Sequence, residues 1–506
     1  MRIRYDIAAC ITAAGAVSFS PASFAQDDDF ELFFGLMHSH SGLSDGVGTP
    51  DEAYDMARAE GVDFFALTEH NHDQVNSIDG PLNPTNYAEL RRIADAKTVD
   101  GSFVAIAGQE VSSISSGNHV NVFETTSIVD IANGDFRDLF ERYLPAHPEV
   151  PFIQFNHPDI LKDQRASTAA KKRNNDYGID DYNQSYRQLV AAAGNYVALM
   201  EMIVGPAFNQ DTAKQHRDGE HQTDYLFYLN EGFRIAPSVG QDNHHANWGS
   251  STHARMGVWA EALTKQGIYD AINQRRAYAS EDENIAVTFK AGSAWMGSTV
   301  RVAPNSTTRL SVSIADPDEP DAEYTIALFS DDKIGGDTAR IVDVVSMTGN
   351  QADVAFDVLS QAGSYHFIRI AQRSDAEFDE DNIWTAPIWF APENDGDPGE
   401  EHSETGIISW EDASDFVGQT ITVEGRIVDS FLNGQALFLN FNTNFNETLT
   451  LVIFANSFDA FGGAEAMEAA TVGKMVRATG EISTFRGRPQ MVLNSPDQLV
   501  ESSTSP

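Results

Sequence analysis

Short apolar runs alternate with amphipathic stretches between about residues 32 and 280 of this 506-residue chain. The apolar runs cover residues 32–37, 64–68, 103–108, 152–156, 197–202 and 235–240, and the amphipathic stretches cover residues 50–60, 87–96, 186–193, 223–230 and 265–275. Thr49 as a cap and Pro50 at the first helical position mark the start of the first predicted helix. This alternation predicts parallel strands with helical crossovers, in an α/β domain over residues 26–283.

The helical period disappears after residue 284. Segments 308–314, 324–329, 353–358 and 364–371 tend to alternate apolar and polar residues between turn formers. An alternation of this kind is typical of strands with one buried face. It predicts a β-sandwich-like domain over residues 284–391.

The last part of the chain consists of a linker and a third domain. Residues 392–405 are acidic and have hardly an apolar side chain, so they predict a solvated linker. Residues 406–501 are β-rich again, with a hairpin at Asn433 and Gly434 and one helix at 463–470. Five strands and one helix predict a small closed barrel.

The N-terminal residues predict export. Arg2 and Arg4 precede a small-residue apolar stretch, and Ser23 and Ala25 are the small residues that a signal peptidase needs. We therefore expect a signal peptide over residues 1–25 and a protein secreted to the periplasm or beyond. A membrane anchor is the alternative, but the stretch is shorter than the ~20 apolar residues of a span. No span is expected in the mature chain.

Charge and cysteine content limit the binding partners and the metal ligands that the chain can have. The chain has 75 Asp and Glu against 33 Lys and Arg, a net charge of −42, which opposes broad electrostatic capture of nucleic acid or anionic membranes. Cys10 is the only cysteine and lies in the predicted signal peptide, which excludes disulfides and thiolate ligands from the mature chain. Any metal ion must be held by His, Asp and Glu.

Histidine is concentrated in the first domain, which contains every one of the 14 histidines except His366 and His402. Several of them, with acidic residues, follow the ends of apolar runs, where parallel α/β folds collect active-site residues. His38 and His40 point the same way from an extended backbone and can coordinate one ion. A lone histidine is more often hydrogen-bonded scaffolding, and Asp45 alone is equally compatible with a turn. Their recurrence at successive strand ends predicts several metal ions.

This pattern resembles that of the PHP (polymerase and histidinol phosphatase) metallohydrolases. The matching residues are His38, His40, Asp45, His70, Glu110, His119, His157, Asp242 and His244. Asp45 stands where some members carry histidine. The resemblance covers about residues 32–280 and implies a distorted (βα)7 barrel with a metal cluster, commonly trinuclear, at the strand C-termini. Residues 384–389 look like the branch with secreted and carbamate-hydrolysing members.

The resemblance also implies which residues share an ion. One ion would be held by His38, His40, Glu110 and Asp242, a second by Glu110, His119 and His157, and a third by Asp45, His70 and His244. Zinc, manganese and iron all suit this ligand set. Ions that share Glu110 would lower the pKa of a bridging water to produce hydroxide, so Glu110, His70 and Asp242 are the catalytic candidates. His72 would protonate a leaving group or be a surface-loop histidine.

Other candidates are supporting residues. Lys171, Lys172 and Arg173 form a basic island that would hold a substrate phosphate or lie in a solvated loop. Arg255 and Trp248 follow His244 and are candidates to line the pocket. Glu201 closes an apolar run but matches no ligand position, so it is expected to support a ligand from behind.

The C-terminal domain resembles the OB-fold modules attached to exported nucleases and phosphoesterases. The likeness lies in residues 417–419, 423–425, 437–441, 473–474, 480–482 and 486–490. For weak binding of single-stranded nucleic acid, the candidates are Phe431, Phe438, Phe441 and Phe445 for base stacking, with Arg486 and Arg488 for phosphates. Alternation along the hairpin would place about half of these aromatics in the core.

The combined expectation is a secreted metal-dependent phosphoesterase with a small-molecule or nucleotide substrate, either a phosphodiester or a phosphomonoester. A metal-dependent hydrolase of carboxylic esters, amides or carbamates is the first alternative. A binding or scaffold protein with a structural metal cluster is the second.

Overall fold

The computed structural model describes residues 30–71, 82–111, 119–131, 135–158, 192–194, 196–208, 221–303, 306–331, 339–373, 380–393, 407–417, 420–432, 436–442, 448–485 and 488–501. The predicted signal peptide, most of the acidic linker and most of the predicted helix 186–193 lie outside these residues. So do His72, Lys171, Lys172, Arg173, Phe445 and Arg486. Within the described ranges, no helix is both long and apolar enough to cross a membrane.

Strands of the first domain lie side by side in sequence order. They are β1 (Glu31–Leu36), β2 (Phe64–His70), β3 (Val104–Val111), β4 (His119–Phe123), β5 (Ile153–Asn156), β6 (Val197–Val204) and β7 (Ala236–Gly240). Backbone hydrogen bonds of 2.9 Å from Met37 N to Val239 O and from Gln241 N to His38 O join the end of β1 to β7. The strands therefore form a closed ring.

Strand β4 is not among the predicted apolar runs, and the predicted parallel arrangement is wrong there. The pairs β1–β2, β2–β3, β5–β6 and β6–β7 are parallel, but β4 runs antiparallel to both β3 and β5. The physical reason is the length of the connection. Residues 112–118 separate β3 from β4, fewer than the ~10–12 residues that a parallel crossover requires.

Helices follow most of the predicted positions. They are α1 (Pro50–Ala59), α2 (Pro84–Lys97), α3 (Gln222–Asn230) and α4 (Lys265–Asn273), with shorter helical turns at Phe136–Asp138, Leu139–Tyr143 and Leu144–Ala146. Thr49 and Glu52 form a capping box at the start of α1, and Asn83 caps α2. Tyr54 and Tyr87 are buried and face the strands from these helices.

The sheet continues from the first domain into the second. β8 (Arg255–Ala260) pairs antiparallel with β1, β9 (Ala277–Ser280) with β8, and β18 (Glu380–Thr385) with β9. One hydrophobic core runs from Phe33 to Phe390 without a break between the domains. The predicted boundary at residues 283 and 284 therefore lies within a shared sheet and core.

The second domain is built from two sheets, and the mixed α/β plus all-β organisation is confirmed. One sheet contains β10 (Ala286–Ala291), β11 (Ala294–Trp295), β13 (Thr307–Ala315) and β16 (Gln351–Leu359). The continuing sheet contains β12 (Thr299–Val302), β14 (Glu323–Asp331), β15 (Arg340–Thr348), β17 (Tyr365–Arg373), β18 and β19 (Ile388–Pro392). Alternating burial along β13 matches the predicted pattern.

The third domain has its own core. Its elements are β20 (Ile407–Ser409), β21 (Thr420–Arg426), β22 (Asp429–Leu432), β23 (Ala436–Asn440), β24 (Thr450–Phe454), α5 (Ala464–Thr471), β25 (Met475–Phe485), β26 (Arg488–Val492) and β27 (Leu499–Glu501). The sheet has 8 strands rather than the five predicted, because the short strands β20 and β27 add to β21 and β25, and β22 pairs with β23. The OB-fold assignment stays a prediction.

Candidate metal centre

The strand ends bring the predicted ligands to one rim of the ring. His38 and His40 follow β1, His70 ends β2, and His157 follows β5. The parallel strands end at this rim, while β4 begins there because it runs antiparallel, so its first residue, His119, joins them. The structure therefore gathers residues that lie far apart in the chain.

Glu110 on β3 is fully buried at the centre of the cluster. Its Oε1 lies 2.9 Å from His119 Nδ1, 3.2 Å from His38 Nε2 and 3.2 Å from His157 Nε2, and its Oε2 lies 2.7 Å from His70 Nδ1 and 3.5 Å from His40 Nε2. One carboxylate thus contacts five imidazoles. A carboxylate in this position can bridge ions.

The first ligand group consists of His38, His40, Glu110 and Asp242, whose ligand atoms all lie within 4.8 Å of one another. Asp242 Oδ1 is 3.0 Å from His40 Nε2 and 3.4 Å from His38 Nε2. The two Nε2 atoms of His38 and His40 are 3.2 Å apart. The group matches the first set that the resemblance implies.

The second group contains His40, Asp45, His70 and His244. Asp45 Oδ1 lies 3.2 Å from His244 Nε2 and 3.7 Å from His70 Nε2. His244 has its Nδ1 2.7 Å from the Asp242 carbonyl oxygen, a contact that places the proton on Nδ1 and leaves Nε2 free to bind. This group contains the third implied set, with His40 in addition.

The third group differs from the one that the resemblance implies. The structure groups Glu110 and His119 with His70, where the resemblance places His157. His157 still contacts Glu110, and its ring centroid lies 4.8 Å from that of His119. All nine candidate ligands therefore belong to one continuous cluster.

The donor set fits divalent metal ions. Asp45 Oδ1, His119 Nε2 and His244 Nε2 are buried and have no hydrogen-bond partner among the described residues. Buried polar atoms are normally hydrogen-bonded, so unsatisfied acceptors that face each other call for a cation. Imidazole nitrogens and carboxylate oxygens are the usual ligands of zinc, manganese and iron.

Glu201 on β6 orients two of the ligands. His38 Nδ1 is 2.7 Å from Glu201 Oε1, and the backbone N–H of His157 donates to Glu201 Oε2 over 2.6 Å. With its proton held on Nδ1, His38 presents the lone pair of Nε2 to the cluster. The structure thus places Glu201 behind the ligands.

Glu69 is a functional residue that the sequence analysis missed. It is fully buried and accepts hydrogen bonds of 2.5 Å from both Ser41 Oγ and Ser44 Oγ, and one of 3.0 Å from Ser41 N. Burial raises the pKa of Glu69 to about 7, although these hydrogen bonds act to lower it. Glu69 therefore anchors the loop that presents Asp45. The only feature of the sequence that indicates a role for Glu69 is its position directly before His70.

The same contacts show the role of a motif that the sequence analysis missed. Residues 42–46 are Gly-Leu-Ser-Asp-Gly, the letters of the Gly-x-Ser-x-Gly nucleophile elbow of serine hydrolases. Ser44 is buried, and its hydroxyl donates to Glu69 rather than to a histidine. It also lies within the turn 42–45 and not in a strand-to-helix elbow. The motif here is structural.

Two ligands have unusual backbone conformations. Asp242 has φ of 47° and His157 has φ of 27°, values that non-glycine residues rarely adopt. Such conformations persist where the surrounding structure imposes them and are concentrated at functional sites. Asp242 N donates to His38 O over 3.1 Å, which ties this conformation to the closure of the ring.

Burial and neighbouring charge compete at the ligands. Burial lowers the pKa of His70, but the Glu110 carboxylate and Asp45 raise it to about 9 overall. Burial, with the charges of His70 and His244, lowers the pKa of His40 to about 3. Burial raises the pKa of Asp45, but contact with His244 and the charge of His70 lower it to about 2 overall. The centre thus keeps Asp45 ionised and His40 neutral, the states that bind metal, whereas His70 would release a proton when an ion binds.

Arg255 and Trp248, the two candidates for lining the pocket, are buried and hydrogen-bond to backbone carbonyl oxygens. Arg255 is buried, and its guanidinium donates to the carbonyl oxygens of Gly249, Thr252 and Ala254, so its predicted place in the pocket lining is wrong. Trp248 is buried and donates from Nε1 to the His40 carbonyl over 2.8 Å. Both stabilise the loop after β7 instead of facing a substrate.

An exposed aromatic ring lies beside the centre and was not predicted. Phe208 is 68% exposed and stacks on the His244 ring at a centroid distance of 3.9 Å. Its backbone oxygen is 2.9 Å from His245 Nε2. An exposed aromatic face next to a ligand can stack on a flat substrate group.

The aromatic candidates of the third domain divide between surface and core. Phe431 is half exposed and stacks on Phe438 at 6.2 Å. Phe441 directly follows β23 and is buried against Trp410 in the core of this domain, so its predicted stacking role is wrong. Arg488 is partly buried on β26.

The sequence matches no family model and no curated protein. Among solved structures, similarity is found to a two-domain protein from Bacteroides vulgatus containing a predicted PHP-like metal-dependent phosphoesterase (16% identity, TM-score 0.39, 71% of this chain and 95% of that one). An amidohydrolase from Chromobacterium violaceum, solved with sulfate and no metal, has 15% identity and a TM-score of 0.24 over 42% of this chain and 87% of that one. The Stn1–Ten1 complex of S. pombe matches 17% of this chain and 59% of that one at 19% identity and a TM-score of 0.14. At these values, family membership does not follow from the likenesses, and functional conclusions depend on the centre itself.

Proposed function

We propose that this protein is a metal-dependent hydrolase and, more specifically, a phosphoesterase. The main support is the buried Glu110 carboxylate, which is shared between two groups of side chains that can each hold an ion. Bound divalent ions supply Lewis acidity, which lowers the pKa of a water and offsets charge on substrate oxygens. The chain holds the donor atoms in place through Glu201, Glu69 and Trp248.

Partial exposure of the ligands favours catalysis over a structural role. His38, His40 and Glu110 are fully buried, whereas the side chains of His119, Asp242, Asp45 and His157 are between 14% and 19% exposed. Structural metal sites are closed by protein ligands, while catalytic sites keep a position open to water and substrate. A substrate would approach from the exposed side of the cluster.

Charge favours an anionic substrate. The nine ligands include the carboxylates Asp45, Glu110 and Asp242, and Glu69 and Glu201 lie behind them. Three divalent ions would bring six positive charges, against three on the directly bound carboxylates Asp45, Glu110 and Asp242 and one on a metal-bound hydroxide. An excess of positive charge attracts a phosphoester more strongly than a neutral ester or amide. The proposal also includes secretion, which the N-terminal sequence supports. It further includes a nucleotide-type substrate.

The test is a substrate panel with the purified full chain. The protein is stripped with a chelator, reloaded with zinc, manganese or ferrous iron, and assayed on p-nitrophenyl phosphate, bis-p-nitrophenyl phosphate and single-stranded oligonucleotides. We expect metal-dependent release of product from at least one phosphoester. p-Nitrophenyl acetate and an aryl carbamate serve as the competing substrates.

Matched variants assign the activity to the centre. Asp242→Asn and Glu110→Gln should reduce both turnover and metal content, measured by mass spectrometry, while Asp270→Asn on the exposed face of α4 should change neither. Turnover of the acetate or carbamate without any phosphoester hydrolysis would assign the carboxylic ester, amide or carbamate alternative. A fully metallated protein without turnover of any substrate would contradict the proposal and favour a scaffold.

A further inference from the structure

A second cluster of carboxylates lies away from the metal centre, around the side-chain amide of Gln372 on β17. Gln372 Nε2 is 2.9 Å from Asp316 Oδ2, 3.0 Å from Glu319 Oε2 and 3.2 Å from Asp282 Oδ2. Asp316 and Glu319 follow β13, and Asp282 follows β9. These residues come from three separate segments of the chain and meet where the first domain joins the second.

The Gln372 amide cannot donate a separate hydrogen bond to each of the surrounding carboxylates. An amide nitrogen has two hydrogens, and three carboxylate oxygens surround it. Gln372 and Asp316 are almost completely buried, and Gln372 Oε1 and Asp316 Oδ1 have no hydrogen-bond partner among the described residues. A buried oxygen without a partner costs free energy, and here two such oxygens belong to one cluster.

Acidic groups are the main charged neighbours of Asp316. Burial raises the pKa of Asp316 to about 8, and the charges of Asp282 and Glu319 and a contact with Asp318 add to the shift, while a 2.9 Å hydrogen bond from Tyr324 opposes it. The charged groups that act on Asp316 most strongly are therefore all acidic. A cation would remove this repulsion.

We propose that Asp282, Asp316, Asp318, Glu319 and Gln372 form a calcium site. All of its donors are oxygens, which Ca²⁺ prefers, and the set of four carboxylates and one amide suits an ion that takes six to eight oxygen ligands. Rotation of the Gln372 amide would exchange Nε2 for Oε1 and give the unpartnered oxygen a ligand role. The exposed Asp318 gives the ion access from solvent.

The position of this site gives it a structural consequence. Asp282 belongs to the segment that leaves β9, while the other ligands belong to the second domain. A bound ion would tie the two together, and the stabilisation of the folded state would grow with the logarithm of the ion concentration once this exceeds the dissociation constant. The site shares no residue with the metal centre, so it goes beyond the proposed hydrolase function.

Terbium luminescence tests the proposal in the full chain with its metal centre loaded with zinc. Tb³⁺ replaces Ca²⁺ and emits when excited through a nearby tyrosine, and the Tyr324 hydroxyl is 2.9 Å from Asp316. We expect saturable emission that excess Ca²⁺ removes, and a Tm several degrees higher with Ca²⁺ than with a calcium chelator. Neither change should occur in Asp316→Asn.

Three more variants separate binding from folding. Tyr324→Phe should keep the Ca²⁺-dependent rise in Tm but lose most of the emission. Asp318→Asn, at an exposed position, should weaken Tb³⁺ binding even if Asp316→Asn fails to fold, and Asp343→Asn on the exposed face of β15 should behave as wild type. No emission and no Ca²⁺ effect in the wild type, or equal effects in Asp318→Asn, would show that the cluster shares protons instead and would overturn the calcium site.

Discussion

His38 is held by Glu201 over 2.7 Å on the side of its ring that faces away from the ligand cluster. The same carboxylate accepts from the backbone N–H of His157 over 2.6 Å. An amide in place of the carboxylate has only one accepting oxygen, so it can satisfy only one of these two donors. Glu201 therefore controls the orientation of two ligands at once.

We predict that Glu201→Gln weakens metal binding about 10- to 100-fold, the usual effect of losing a group that orients a ligand. Activity should return at high metal concentration, because every ligand is still present. The measurement is activity against free metal concentration, with Glu261→Gln at an exposed position as the control. An unchanged metal dependence would show that Glu201 does not position His38.

The second prediction concerns Ser44, whose hydroxyl donates to the buried Glu69. Ser44→Ala removes one hydrogen bond to the buried Glu69 carboxylate. The substitution should therefore lower the free energy of unfolding by about 1–3 kcal/mol. The loop of Asp45 should also be held less firmly, so less metal should be retained on dialysis. Denaturant unfolding and mass spectrometry measure the two effects. Ser102→Ala, which removes an exposed hydroxyl, should change neither.

The third prediction concerns Phe208, whose exposed ring stacks on His244. If the ring receives a flat substrate group, Phe208→Ala should raise KM for aryl phosphoesters by about three- to tenfold, equivalent to ~0.5–1.5 kcal/mol of aromatic stacking. The kcat should change little, since the ring does not contact Glu110. Phe208→Tyr should restore KM, and KM for an alkyl phosphoester should be insensitive to both changes. Equal losses on aryl and alkyl substrates would exclude a stacking role.

The fourth prediction is a pH dependence of stability in the absence of calcium. The pKa of Asp316 is raised from 3.8 to about 8 in the folded protein, mainly by burial. The folded state therefore holds a proton that the unfolded state has lost, so its stabilising effect is complete below pH 3.8 and disappears as the pH rises towards 8. With chelator present, the Tm of wild type should fall more steeply between these limits than the Tm of Asp316→Asn. Parallel curves would mean that Asp316 is ionised in the folded protein.

Local patterns in the sequence predicted much of the first domain. Continuous apolar runs mark β2, β3, β6 and β7, because strands covered on both faces need apolar residues at every position. Ligands such as His70 and Asp242 could be picked out because parallel strands bring their ends to one rim. Strand β4 was missed because its residues do not form a continuous apolar run, and its antiparallel direction follows from the short connection that precedes it.

Residues that act through tertiary contacts had weaker signals. Nothing in the sequence around Glu69 distinguishes it from a surface carboxylate. Only its hydrogen bonds with Ser41 and Ser44 show its role. The contact between Asp282 and Gln372 joins residues 90 positions apart, with no local motif at either end. Sequence patterns encode which face of an element is buried, but not which polar groups meet there.

The pairing of β9 with β18 limits how the chain can be divided for experiment. A recombinant fragment that stops at residue 283 would expose the edge of β9 to other molecules and uncover Tyr278 and Trp259, which donate to the carbonyl oxygens of Ile285 and Val287. Such a fragment should aggregate even with an intact ligand set. The smallest fragment expected to stay monodisperse and retain metal therefore extends through Pro392, where β19 ends.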